Sequence, residues 1–482
     1  MCTITAHIHR HSGERTLSTD GPIQVGDDRQ LFVDDYLIDS MNSVELRLHT
    51  PLPAGTALEL GEPWEGNTCD YHTVFKDDDV YRMYYRGSSH EGYVIDALLE
   101  PEETSVPLHP ELMCYAESRD GITWTKPDLG LIEFEGSKKN NIVWLDEANE
   151  TGDMNPFVDG NPEAKADERY KAIVWKRNNV FAVVSPDAVT WRLMQEEPIL
   201  TEGPFDSQNV PFWDPWRNEY VIFTRGVIGE GSSFKGGYRW IRRATSKDFL
   251  NWSPLESIDT GDTPYEHFYT NGTTPYYRAP GVYLSFPRRF LPDRRPREDS
   301  PWPGTSDSVF MSSRDGLQWD RTFMESFIRP GTSPRGWTSR NNLLSSGIVE
   351  TGENELSMYV LRHRDFPSVH FERVTIRKDG FVSAAAGFSS GELITRPLVF
   401  KGGELELNYS TSAAGAIKVE IQDEKGKPIP GYVLEDYPEM FGDEIAGTAR
   451  WSGGTGVGSL TGKTVRLRFW LKDADLFAFR FR

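Results

Sequence analysis

Cysteine is nearly absent from this chain. Only Cys2, Cys69 and Cys114 occur in 482 residues. Three cannot staple a scaffold of this size, and none stands at metal-finger spacing. No apolar run reaches the roughly 18 residues a spanning helix needs, so no membrane partner is expected. Positive charge is also short: 52 Lys and Arg face 73 Asp and Glu, for a formal net charge of −21. Nucleic acid calls for a basic field, so it is not an expected partner either. The N-terminal stretch MCTITAHIHRHSGERTL lacks the apolar core of a secretory signal, and the expected location is cytoplasmic. A signal trimmed beforehand would leave the same text.

Amphipathic helical patterns are scarce too. Short alternating runs dominate: residues 80–85 (VYRMYY), 170–175 (YKAIVW), 220–224 (YVIFT), 282–286 (VYLSF) and 356–361 (LSMYVL). Turn-forming residues separate them, among 43 Gly and 31 Pro in all. This is the pattern of an all-β fold. Aromatics are plentiful, with 14 Trp and 19 Tyr. They suit both β-rich cores and surfaces that stack on sugar rings.

One motif recurs. Ser, Asp and Trp stand at i, i+2 and i+6 in Ser118/Asp120/Trp124, Ser185/Asp187/Trp191, Ser246/Asp248/Trp252 and Ser313/Asp315/Trp319. A fifth copy around Asp379 has lost the Ser and the Trp. The aspartates are 67, 61, 67 and 64 residues apart. Ser-x-Asp makes a tight turn in which short polar side chains cap backbone groups, and the Trp then enters the packing between sheets. One turn per such interval fits a four-stranded blade, and five copies predict a five-bladed β-propeller. The expected domains are an N-terminal arm with one strand (residues 1–45, the strand at 31–38), the propeller (46–390) and a Gly-punctuated β-sandwich (391–482).

A propeller binds ligands where its innermost strands open into a funnel. The polar starts of those strands therefore carry the candidates, since buried polar groups are costly unless paired or used. Three carboxylates stand out: Asp70, Asp206 and Glu266. Cleavage of a glycosidic bond needs one protonated acid and one ionised carboxylate, and a third group can tune them. Asp153, Asp159 and Asp214 compete for these roles. Asn155 shares the second blade's inner strand.

Five blades followed by a β-sandwich resemble the propeller glycosidases of glycoside hydrolase families 43 and 32. The resemblance implies an Asp base or nucleophile on blade one, a second Asp that tunes the site, and a Glu general acid. Asp70, Asp206 and Glu266 follow that order, at gaps of 136 and 60 residues. The local motifs depart: Asp70 lies in Thr-Cys-Asp-Tyr-His, and Glu266 precedes His267 where the family has Cys. The substrate does not carry over.

Arginines end four of the second strands at one register: Arg86, Arg225, Arg288 and Arg362. Arg289 doubles one, and Arg340 belongs with them. Guanidinium pairs with carboxylate or sulfate, so these residues either recognise an acidic sugar or bridge blades. His72 and His267 are further substrate-binding candidates beside Arg86, Asn155, Arg225, Arg288 and Arg340. The expected function is carboxylate acid/base hydrolysis of a plant or algal oligosaccharide, with an acidic sugar as one candidate. A non-catalytic glycan-binding propeller and a glycoside phosphorylase are the alternatives. No cofactor is required and no metal ligand is assigned. A structural Ca²⁺ is allowed by the resemblance, although no acidic loop has its spacing.

Overall fold

The computed structural model describes residues 21–91, 106–145, 151–232, 235–294, 303–454 and 456–482. The first 20 residues of the expected arm, with Cys2, lie outside these. The described residues form an all-β fold with only short 3₁₀ turns besides strands. None of their helices is long and apolar enough to cross a membrane.

Four-stranded antiparallel sheets follow one another along the chain. The first runs Asp70–Asp77, Val80–Gly87, Leu112–Ser118 and Trp124–Thr125, with Ile142–Trp144 added beside the third strand. The second runs Thr151–Met154, Tyr170–Lys176, Asn179–Ser185 and Arg192–Leu193, with Phe157–Val158 continuing the first strand. The third runs Val210–Asp214, Glu219–Ser232, Lys235–Ser246 and Glu256–Ser257. In the fourth, between His267 and Ile328, every strand is broken in two, so it divides into two short sheets. The fifth runs Val349–Gly352, Glu355–Arg362 and His370–Arg377, and its last strand is Leu52–Glu59 from the chain's beginning. That pairing ties the two ends of the series together.

The four repeated turns share one hydrogen-bond pattern. In each, the Ser hydroxyl accepts from the backbone N–H three residues on, at 2.8–3.0 Å. The Asp Oδ1 accepts two further backbone N–H groups. The residue after the Asp is left-handed in all four copies, as Gly121, Ala188, Phe249 and Gly316. Trp124 then meets Tyr359 of the fifth sheet, Trp191 meets Tyr84 of the first and Trp319 meets Phe223 of the third, each edge-on. Each of these turns thus packs on the sheet before it.

The fifth copy does something else. Asp379 is buried and accepts from Tyr276 Oη (2.7 Å), Arg278 Nε (2.7 Å) and Asn408 Nδ2 (3.1 Å), with Arg29 Nη1 at 3.5 Å. It pins the fourth sheet to the C-terminal one.

The N-terminal arm departs from expectation. Residues 32–37 form a turn in place of the expected strand: Asp34 Oδ1 accepts from Tyr36 N, and Asp35 O accepts from Ile38 N. Leu31, Phe32, Val33 and Leu37 are all buried there, on both sides of the chain, so no alternation survives. The strands Ile23–Gly26, Ile38–Asn42 and Val44–Leu48 join a ten-stranded sheet with Val382–Ala386, Leu405–Asp423 and Thr464–Phe481. A break between Thr411 and Ala416 bends this sheet around one apolar cluster that includes Phe32, Leu407, Ile417, Val419, Leu467 and Phe469. The unit therefore draws on chain from both sides of the five sheets.

Candidate active site

The first strands of all five sheets converge. Thr73 Oγ1 donates to Asn155 Oδ1 (2.6 Å), Asn271 Nδ2 to Gln208 O (3.0 Å) and Ser346 N to His72 O (3.1 Å). Gln208 Nε2 reaches His72 O at 3.5 Å. Polar residues at buried strand starts thus pair with one another across the sheets, while Asn155 Nδ2, Gln208 Oε1 and Ser346 Oγ have no hydrogen-bond partner among the described residues.

Above this network lies a cluster of guanidiniums: Arg86, Arg225, Arg239, Arg288, Arg340 and Arg364. Asp70 is its main counter-charge. Arg288 Nη1 donates to both carboxylate oxygens of Asp70, at 2.9 and 3.0 Å, and to the backbone oxygen of Arg340. Arg364 Nε lies 3.5 Å from Asp70 Oδ2. Burial alone would raise the Asp70 pKa, but Arg288, Arg364 and Arg86 overcome it and hold the carboxyl below its ordinary value. The strand is bulged here, with Tyr71 at φ 51°, so Asp70 and Tyr71 both reach Arg288. Bulges of this kind re-aim side chains beside active sites.

Two further groups are strongly perturbed. Asp153 is buried, and neither of its carboxyl oxygens has a hydrogen-bond partner among the described residues. Arg86 Nη1 approaches to 3.4 Å and also meets Glu111 Oε1 at 3.1 Å. Burial raises the Asp153 pKa to about 7; Arg86 opposes the shift, while Glu111 and Asp70 add to it. Tyr269 moves the other way. Its ring centre lies 4.8 Å from Arg225, 5.1 Å from Arg239, 4.8 Å from Arg288 and 5.8 Å from Arg340. Burial opposes ionisation, but these four cations outweigh it and bring the phenol to about 7.

No known family profile matches the chain, and no curated protein matches it. Solved structures do. It is similar to a structure titled "Glycoside hydrolase", at 13% identity over 68% of this chain and 92% of that one, with a TM-score of 0.48. It is similar to an N-acetylgalactosamine deacetylase from F. plautii, at 11% identity over 69% and 95%, TM-score 0.43. A glycoside hydrolase family 43 arabinoxylan arabinofuranohydrolase from Bacillus subtilis aligns over 89% and 96% at 13% identity, TM-score 0.38.

The expected residues divide. Asp70, Arg86, Arg225, Arg288 and Arg340 come together in the cluster. Asp206 stands at its rim, with a side chain 54% exposed and Oδ1 2.7 Å from Arg225 Nη1. Glu266 does not join it. Its carboxylate is held by Arg289 Nη1 (2.8 Å) and Arg321 Nη2 (3.0 Å). Neighbours on a strand face opposite sides, so Glu266 shares the side of Arg289, away from Arg288 and Asp70. It lines a separate cleft of about 390 Å³ with Tyr238, Tyr265, His267 and Phe290. His267 belongs to that cleft as well, its Nδ1 accepting from Arg239 N at 3.2 Å.

His72 and Asn155 lie in the network beneath the cluster. His72 is fully buried, stacks on Phe371 at 4.2 Å and meets Tyr359 O through Nε2 at 2.8 Å. Burial lowers its pKa to about 4. Arg362 pairs with Glu372 and Asn342, and Arg364 enters the cluster in its place. His363 and Asp365, both left-handed, shift the register there. Sequence reasoning missed Arg239, Arg364 and Tyr269, and it placed Asp153 only among competitors. Among the described residues no group of three or more His, Cys, Asp or Glu is arranged to hold a metal ion.

Proposed function

We propose that the protein is a glycosidase acting on an acidic sugar, and that its five sheets are the blades of one β-propeller beside a C-terminal β-sandwich. The observation that carries this reading is the guanidinium cluster at the convergence of the inner strands. Burying cations is expensive unless each finds an anion. Asp70 and Asp365 serve Arg288 and Arg364. Nη2 of Arg225 and Nη2 of Arg288 remain buried without a hydrogen-bond partner among the described residues. A sugar carboxylate or sulfate would complete them, since charge-assisted bonds to guanidinium are directional and strong.

In this reading Arg225 and Arg340 bind the acidic group, and Asp153 protonates the leaving oxygen. Asp153 suits that role because burial raises its pKa to about 7, so a substantial share stays protonated at neutral pH. Asp70 fixes the arginines, and Asp206 is the carboxylate at the open side. The aromatic cleft of Tyr238 and Tyr265 would take the remainder of the oligosaccharide.

The test is a panel of aryl glycosides: uronides, ulosonides and sulfated sugars, each with its neutral counterpart. One bidentate pair is worth about 3 kcal/mol, so acidic members should exceed neutral ones by roughly 10²-fold in kcat/KM. Arg225→Met should erase most of that preference. Equal turnover of acidic and neutral members would refute the reading. The same open guanidiniums would also receive phosphate, which favours a phosphorylase as the second reading. Running the panel with and without phosphate separates the two.

A further inference from the structure

We propose that the cleft of about 390 Å³ beside the guanidinium cluster is a subsite for an uncharged pyranose, gripped by Tyr238 and Tyr265. For its class of ligand this rests on the acidic-glycoside reading, and it fixes the chemistry of a second sugar. The space is open and falls within the roughly 300–1,000 Å³ of small-molecule sites. Tyr265 lines it with 51% of its surface exposed, yet the ring is braced. Trp240, buried and stacked on Phe268 at 4.9 Å, holds it edge-on at 5.5 Å. Tyr238 lies 5.7 Å from Tyr265 and 5.0 Å from His267. An exposed aromatic ring costs free energy against water and marks a contact surface. Its negative face attracts the C–H side of a pyranose, whose hydrogens carry a slight positive charge.

The polar wall of the cleft decides the charge of its ligand. Every nitrogen of Arg289 is engaged: Nε and Nη2 by Asp307 at 2.9 and 2.6 Å, and Nη1 by Glu266 at 2.8 Å and Met324 O at 3.1 Å. Arg321 takes the other oxygen of Glu266, through Nε at 3.2 Å and Nη2 at 3.0 Å. Arg294 is exposed and next to Asp293 in the chain, where water screens both. A carboxylate or sulfate in this cleft would meet Glu266 with no buried cation left to receive it. What the wall offers is the donor and acceptor that a hydroxyl needs. Glu266 Oε1 takes one bond, from Arg289, and keeps a second lone pair for a sugar O–H. His267 Nδ1 accepts from Arg239 N at 3.2 Å, so the ring proton sits on Nε2. Burial and Arg239 lower the His267 pKa to about 4, so at neutral pH the ring brings a donor without a charge.

Cleft and cluster share a wall. Tyr238 and Arg239 follow one another on the strand Lys235–Ser246 and face opposite sides. Tyr238 lines the cleft, while the Arg239 guanidinium lies over Tyr269 at 5.1 Å and Phe290 at 5.4 Å. Phe290 lines the cleft as well. A wall one side chain thick thus separates a face with open guanidinium nitrogens at Arg225 and Arg288 from a face whose arginine is fully paired.

The experiment titrates the whole chain with neutral trisaccharides of glucose, mannose, galactose and xylose and with a trisaccharide of galacturonic acid, read by saturation-transfer NMR and calorimetry. At least one neutral trisaccharide should bind with a Kd of about 10 mM or tighter. Tyr265→Ala should weaken that binding by at least about tenfold, and Tyr265→Phe, which keeps the ring, by no more than about threefold. The thermal midpoint of both variants should stay near that of the wild type, because the ring is half exposed. Binding of no neutral trisaccharide at about 10 mM, or a Tyr265→Ala chain that binds them as the wild type does, overturns the subsite. A Tyr265→Ala loss as large for the galacturonic trisaccharide as for the neutral ones overturns its preference for uncharged sugars. In each case a preference for acidic aryl glycosides would leave the acidic-glycoside reading standing. A wild-type chain that binds none of these trisaccharides and cleaves no aryl glycoside overturns both.

Discussion

Asp70→Asn separates two roles for the most buried carboxylate of the site. Asn keeps the shape and an acceptor for the Tyr71 N–H, now 3.0 Å from Oδ1. It removes the charge that holds Arg288 at 2.9 and 3.0 Å and Arg364 at 3.5 Å, all three side chains being buried. Breaking a buried pair from one side costs about 3–5 kcal/mol, because the partner charge is left uncompensated. For a cooperative unit of a few hundred residues that is a fall of roughly 6–20 °C in thermal midpoint. Scanning calorimetry at several pH values is the assay. The folded pKa of Asp70 lies below its ordinary 3.8, so its contribution is complete above that value and fades as pH falls through the folded value. The gap between wild type and variant should be steady at neutral pH and shrink below about pH 4. A catalytic base would behave differently, losing turnover at an unchanged midpoint. A variant within about 1 °C of wild type would refute the anchoring argument, since it would place the cost far below the range for a broken buried pair.

Three other outcomes follow from the same geometry. The kcat/KM profile should fall with alkali near pH 7, because Asp153 must keep its proton and its pKa stands at about 7. Asp153→Asn should remove that alkaline limb with activated aryl substrates. Glu266→Gln should leave kcat on such substrates within about tenfold while lowering the thermal midpoint, because Glu266 bridges Arg289 and Arg321; a loss of several orders in kcat with a stable fold would restore it as the acid. Asp379→Asn should loosen the joint between the fourth sheet and the C-terminal sheet, detected as a separate early transition in calorimetry or as new proteolysis there. The Asp379 pKa is lowered, so the joint should also weaken as pH falls through its folded value, and an unchanged single transition would count against it.

What the sequence discloses here is what is local. The Ser-x-Asp turns close within three residues of one another, so their geometry needs no partner, and four copies read correctly from spacing alone. The arginine register also reads well at Arg86, Arg225 and Arg288, where the second strands are regular up to that residue or resume at it. It fails at Arg362, because the left-handed residues His363 and Asp365 turn the backbone and bring Arg364 inward. Glu266 fails for parity. Whether it faces Arg288 or Arg289 depends on which side of the sheet looks inward, and a first strand as short as His267–Phe268 gives too little alternation to tell. The N-terminal strands were missed because their partners lie more than 300 residues away, as in the pairing of Ile23 with Leu398. Tyr269 carries no mark in the sequence at all. Its lowered pKa comes from four arginines on two sheets and a loop.

That dependence explains how one acidic chain can hold a cationic centre. A formal net charge of −21 is spread over the whole molecule, and salt screens it within about 8–10 Å. The cluster is built instead from second and third strands and from loops, behind walls of buried aromatic residues such as Tyr71 and Tyr269. Within such walls each guanidinium is worth more to an anion than it would be in water, and costs more to leave unpaired. Asp70 and Asp365 lower that cost at the closed side, where Arg288 and Arg364 are buried. At the rim, Asp206 is the answering carboxylate and is itself half exposed, so an incoming anion can compete with it for Arg225. The resident carboxylates thus grade from buried and fixed to half exposed and displaceable, and an anion entering from the rim would meet them in the reverse order.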